Sequence, residues 1–171
     1  LPYQHKNRIK SDVSQEQLML LFKQRRSVRW YEQKPVSSNL LAQAIEMASQ
    51  APSACNRQPF QFYCVTDMDK ASEVASIAMG TAGFSDNIPA LIVVIGDLSA
   101  YPTEKDRHVI YIDGGLVSMQ LMLSLETLGL SSCPINWPDI DFFEKKMIKK
   151  LNLAGHLRPI MLISVGYAQV D

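Results

Sequence analysis

Apolar positions along the chain switch between helical and strand spacing, and the switches predict the order of its elements. Residues 1–13 show no periodicity and read as an N-terminal arm. Ser14 and Gln17 then stand at capping-box spacing, followed by Leu18, Leu21 and Phe22 at helical intervals. This helix ends near the basic run Gln24-Arg25-Arg26-Ser27. A second helix is capped by Ser37 or Ser38, carries a stripe of Leu41, Ala44, Ile45 and Ala48, and is stopped by Pro52. Phe60 to Val65 alternates and is rich in aromatics, the pattern of a strand. A short helix from Asp69 to Met79 follows, with Gly80 suited to its C-terminal end.

Ala90 to Ile95 is a continuous apolar run, read as a strand buried on both faces. Tyr111 to Leu128 is a long helix ended by Gly129. Leu116, Val117, Leu121, Leu125 and Leu128 form its stripe, and Met119, Met122 and Leu123 extend the apolar surface around the cylinder. A helix apolar on most sides is covered on most sides, which places it in the core or at a subunit interface. Ser131 to Ile135 reads as a strand, and Asp141 with Glu144 has capping-box spacing at the start of a helix through Leu151. Ile160 to Val165 is the last strand. The expected product is one layered, mixed α/β domain over residues 14–171. No Gly-x-Gly-x-x-Gly follows a strand and no Gly-rich phosphate loop is present, so a standard dinucleotide fold is excluded.

Composition narrows the partners. Seventeen basic and seventeen acidic side chains cancel, which argues against nucleic acid and against an anionic membrane surface. Nothing reaches the roughly 18 uninterrupted apolar residues of a membrane span. Cys55, Cys64 and Cys133 are odd in number and irregular in spacing, as expected of reduced thiols in a cytoplasm. His5, His108 and His156 match no metal-ligand spacing, and no Gly-x-Ser-x-Gly elbow or carboxylate pair offers hydrolytic chemistry. The chain begins at Leu1 rather than methionine, as a piece of a longer protein would.

Three segments carry candidate chemistry. Arg25, Arg26, Ser27 and Arg29 put three guanidinium groups and a hydroxyl within five residues, a donor set that matches phosphate oxygens. Alone, the same run also reads as a solvated surface. Pro52, Ser53, Ala54, Asn56 and Gln58 lie between a helix and a strand, where amide side chains can read the edge of a planar heterocycle; a polar turn is the plainer alternative. Pro134, Ile135 and Asn136 end a strand beside Cys133, a position that commonly offers backbone groups to a ligand. Cys133 itself reads as packing rather than as a nucleophile.

In their order and separation these segments resemble the nitroreductase family. The resemblance rests on Arg25-Arg26-Ser27-Val28-Arg29, Lys34-Pro35-Val36, the run from Ala51 to Phe60, Pro89 to Val94, Asp113 opening the long helix, Leu128 to Cys133, and Ile163 to Tyr167. It implies an α+β homodimer of three-layer fold, with a central mixed, mostly antiparallel sheet flanked by helices, and two FMN sites between the subunits. Arg25, Arg26, Ser27 and Arg29 would hold the FMN phosphate and nearby oxygens. Pro52, Ser53, Ala54, Asn56 and Gln58 would contact the flavin partly from the other subunit, and Pro134, Ile135 and Asn136 would lie beside the ring. NADH or NADPH would reduce the flavin, and a nitroaromatic, quinone or free flavin would take the electrons, with no protein acid or base required. A flavin-dependent dehalogenase or destructase, and a non-catalytic flavin module of a larger protein, are the alternatives. Two departures stand out: Cys55 replaces a frequent glycine, and the basic C-terminal extension of many members lies beyond Asp171.

Overall fold

The computed structural model describes residues 4–169. The regular elements, in chain order, are α1 (Gln15–Gln24), α2 (Ser38–Ala48), β1 (Phe60–Val65), α3 (Met68–Ala75), β2 (Ala90–Asp97), α4 (Val109–Thr127), β3 (Ser131–Asn136), α5 (Asp141–Leu151) and β4 (Leu157–Gly166). All nine coincide with elements read from the pattern, and the capping box of Ser14 and Gln17 forms as expected. Residues 4–13 are exposed throughout.

The structure departs from the sequence reading at several element ends; β2 runs on to Asp97 and β4 starts at Leu157. Helix α3 stops at Ala75 rather than Met79, because the buried Thr81 hydroxyl donates to the carbonyls of Ala75 and Ala78 and turns the chain. Helix α5 has Ile140 as its N-cap with no side-chain bond, so Asp141 and Glu144 do not form a box. Asp141 instead pairs with Lys145 and Glu144 with Arg158. Helix α4 begins at Val109, which places Asp113 fifth in the helix rather than at its opening. Its far end closes with Leu130 N–H on Leu125 O and Gly129 N–H on Glu126 O, a Schellman pattern that needs the positive φ of 75° at Gly129.

The strands form one sheet in the order β1-β2-β4-β3, with every ladder antiparallel. The mixed character expected from the resemblance shrinks to an isolated parallel bridge between Ser27 and Ser132. Strand β2 is buried along both faces, as its unbroken apolar run requires. Ala90, Ile92 and Val94 face a core made with α2 and α4, while Leu91, Val93 and Ile95 face a second core with α3 and α5. The result is three layers with the sheet in the middle.

Helix α4 is only half covered. Val117, Leu121 and Leu125 are buried, but Ile112, Leu116 and Met119 are 54%, 43% and 40% exposed. Leu116, read on one stripe with Val117, Leu121 and Leu125, lies on the outer face instead, where the helical rotation puts it. By length and composition the stretch Glu104–Thr127 could cross a bilayer. In this fold it packs on α2 and β2 as a core helix.

Candidate cofactor site

The basic segment leaves α1 at Arg25 and leans on the outer edge of β3. Val28 N–H donates to Ser132 O at 3.1 Å and completes the Ser27–Ser132 bridge. Two residues on, the chain crosses to the end of β4, where Glu32 N–H meets Tyr167 O and Gln169 N–H meets Trp30 O. Tyr31, 1% exposed, locks this path: its hydroxyl donates to Val28 O at 2.6 Å and lies 2.8 Å from Ser164 Oγ. Burial raises its hydroxyl well above the usual tyrosine range, so it stays a donor. The ring needs bare backbone beside it, because a Cβ on Gly166 would meet Tyr31 Cδ1 at 2.7 Å. Tyr31 was not singled out in the sequence; its only signal is its place in the aromatic pair Trp30-Tyr31 that follows the basic run.

Arg25, Ser27 and Arg29 converge on the start of β3. All three lower the Cys133 thiol, but burial outweighs them and raises it overall, consistent with packing rather than nucleophilic work. Arg29 also lies over the Phe84 ring at 5.9 Å, and its backbone carbonyl accepts from Asn87 Nδ2. Arg26 turns back to donate to Arg25 O. Among the described residues none of the three guanidinium groups is ion-paired, so the cluster presents uncompensated positive charge. That donor set fits a phosphate dianion. Further along β3, Ile135 is buried in the core on the α3 and α5 side. It can therefore offer only backbone outward, while Asn136 is exposed. Pro134 fits an edge strand, which has no outer ladder to supply. Beyond the Ser27–Ser132 bridge, the outer edge of β3 has no strand partner among the described residues.

The Pro52–Gln58 loop lies elsewhere, ahead of β1. Cys55, Asn56 and Gln58 adopt φ values of 53°, 53° and 49°. For Cys55 and Gln58 this left-handed region costs about 1–2 kcal/mol each, less for Asn56, so the loop must be over-determined. Ser53 Oγ accepts Gln58 N–H at 2.9 Å, and Gln58 Nε2 donates to Ser49 O. The two residues thus spend part of their hydrogen-bonding capacity inside the loop. The Asn56 side chain has no hydrogen-bond partner among the described residues and is exposed. Ala54 N–H is held by the carboxylate of buried Asp113 at 3.2 Å.

The three segments do not meet within one chain. Segments 25–29 and 132–136 share the β3 edge, whereas the loop feeds β1 at the opposite edge. Three interstrand spacings separate the edges, about 14 Å.

Comparison with known proteins agrees with this architecture. The Nitroreductase family model matches residues 22–82 and 69–167. The chain belongs to the nitroreductase family. NADH dehydrogenase of Thermus thermophilus is 36% identical over 175 residues, covering 84% of this chain and 82% of its own. YdgI of Bacillus subtilis, an NAD(P)H nitroreductase by name, is 27% identical over 194 residues, covering 91% of this chain and 90% of its own. Among solved structures, an FMN-dependent nitroreductase of Clostridium difficile superposes with a TM-score of 0.78 at 25% identity, covering 88% of this chain and 87% of its own.

Proposed function

We propose that this nitroreductase-family chain is an FMN-dependent NAD(P)H oxidoreductase, working as a homodimer and passing electrons to a small acceptor such as a nitroaromatic or quinone. The observation that carries the reading is the basic group Arg25, Arg26 and Arg29, without ion pairs among the described residues, around Ser27 where it bridges to Ser132 on the open β3 edge. Arg25, Arg26, Ser27 and Arg29 hold the FMN phosphate and neighbouring oxygens, and the β3 residues Pro134, Ile135 and Asn136 lie along the ring. Asn136 lies four positions beyond Ser132, about 13 Å along the strand, which suits an elongated ligand. The loop with Pro52, Ser53, Ala54, Asn56 and Gln58 reaches the flavin from a second copy, since its own copy holds it at the far edge. The exposed stripe of Ile112, Leu116 and Met119 on α4 supplies an apolar contact between copies. When bound, FMN accepts a hydride from NADH or NADPH and hands electrons on; the chain's part is to bind, orient and exclude water. The free Cys55, Cys64 and Cys133 suit a reducing cytoplasm.

The test is an anaerobic absorbance spectrum of purified protein with FMN, before and after NADH. Bound flavin that bleaches supports the reading, and a folded dimer that takes up no flavin overturns it. Arg25→Ala and Arg29→Ala should each weaken FMN binding by about tenfold or more, the loss of a charge-assisted bond. A dehalogenase is the second reading, favoured by 25% identity over 171 residues to iodotyrosine deiodinase of Thermotoga neapolitana. Halide release with a halogenated phenol as acceptor would select it.

A further inference from the structure

Asp113 is the only carboxylate or basic side chain buried in the core among the described residues, at 2% exposure. It has no ion pair among them. A lone carboxylate out of water is costly unless its oxygens are hydrogen-bonded. Here the bonds all run to the two segments that frame the 52–58 loop. Both oxygens accept Ala54 N–H at 3.2 Å, and Oδ2 accepts the Tyr101 hydroxyl at 2.6 Å. Glycine at 114 brings the helix close to the sheet, since a Cβ there would meet Ile160 Cδ1 at 2.6 Å.

Tyr101 reaches the loop a second time. Arg57 donates from Nη1 to Ala100 O at 2.8 Å, and its guanidinium lies 5.7 Å from the centre of the Tyr101 ring. Burial first, then the bond to Asp113, push the Tyr101 hydroxyl above its usual range, so it is a donor at neutral pH. Between the two anchors, Ala54 and Arg57, lie Cys55 and Asn56 in the left-handed conformation, with Gln58 just beyond. Such a conformation persists only where its surroundings impose it.

We propose that Asp113 and Tyr101 are positioning residues for cofactor binding: together they clamp the loop at Ala54 and Arg57 so that Asn56 and Gln58 are set toward the flavin before it arrives. The proposal rests on the flavin reading of this loop given above. It assigns a role to a buried charge that the fold does not otherwise use, and it makes the loop's shape a property of α4 and the Leu98–Tyr101 turn rather than of the loop itself.

Tyr101→Phe and Asp113→Asn in the full chain test it. The first keeps the ring beneath Arg57 and the Asp113 bond to Ala54, so it should fold even if the second does not. Three readouts are needed: FMN affinity, turnover at saturating FMN, and amide exchange. Tyr101→Phe should weaken FMN about tenfold and speed exchange at Ala54 to Gln58 by a similar factor, the scale of one lost bond to a charged group. Turnover at saturating FMN and exchange in β2 should stay within about twofold of the parent. Unchanged FMN affinity in a variant whose parent binds FMN would overturn the clamp alone. Exchange rising equally in β2 would also overturn it, by showing a purely structural role. A parent chain that takes up no FMN would instead overturn the flavin reading, and this role with it.

Discussion

Cys55 shows how one side chain can sit against the backbone it is given. Its φ of 53° falls where glycine is at ease and a residue with a Cβ is not. Cys55→Gly should therefore raise stability by up to about 1 kcal/mol in urea unfolding, the relief of strain less the added chain entropy. A loss of that size would mean that residue 55 leaves the left-handed region in solution. Gly166 is the opposite case, since a Cβ would meet Pro89 Cγ at 2.6 Å and Tyr31 Cδ1 at 2.7 Å, both in rigid rings. Gly166→Ala should cost about 1–3 kcal/mol of stability and, by displacing Tyr31, weaken FMN binding as well. Calorimetry and flavin titration on the same variant check both. Thiol labelling completes this scale: exposed Cys55 should react with iodoacetamide at neutral pH in the absence of FMN and more slowly with FMN bound beside its loop, while buried Cys133, its thiol raised by burial, should stay unlabelled until the protein unfolds.

At the level of the element, α4 carries two jobs on two faces. Val117, Leu121 and Leu125 build the core with α2 and β2, and Ile112, Leu116 and Met119 stand four and three residues apart on the outer side. The sequence pattern showed that the helix is apolar nearly all round but could not say which residues a single chain covers. Leu116→Asp should leave the fold intact and abolish dimer formation, because a buried unpaired charge in an apolar contact costs several kcal/mol. Light scattering gives the mass, and flavin uptake should fall with it. A variant that stays dimeric would move the interface off this face. The end of α3 was illegible for a different reason: Thr81 stops the helix through carbonyls three and six residues back, a local bond that no glycine or proline marks.

The whole molecule separates what the sequence places in line. Segments 25–29 and 134–136 come together at β3, and the 52–58 loop lies at the β1 edge. A site that draws on both edges must draw on two copies, which gives a direct test by mixing. Arg25→Ala/Arg29→Ala protein and Asn56→Ala/Gln58→Ala protein should each bind FMN poorly. Unfolding and refolding them together should restore about a quarter of the sites, since half of random dimers are mixed and each mixed dimer has one intact site. No recovery would mean that each site is built within one chain.

Much of this protein was legible in its residue order. Elements arise from local periodicity, so the alternation in β1, the unbroken apolar run of β2 and the capping box of α1 each appeared where the pattern put them. The candidate segments were visible too, because guanidinium clusters and proline-framed loops are short-range features. What only the tertiary structure decided depends on residues far apart in the chain. Antiparallel pairing in the order β1-β2-β4-β3 sends two candidate segments to one edge and the third to the other. The contact of Asp113 with Ala54 spans 59 positions, and that of Tyr31 with Ser164 spans 133. No spacing rule reaches so far; such pairs exist because the packed layers bring them together and because a buried polar group must find its partner there.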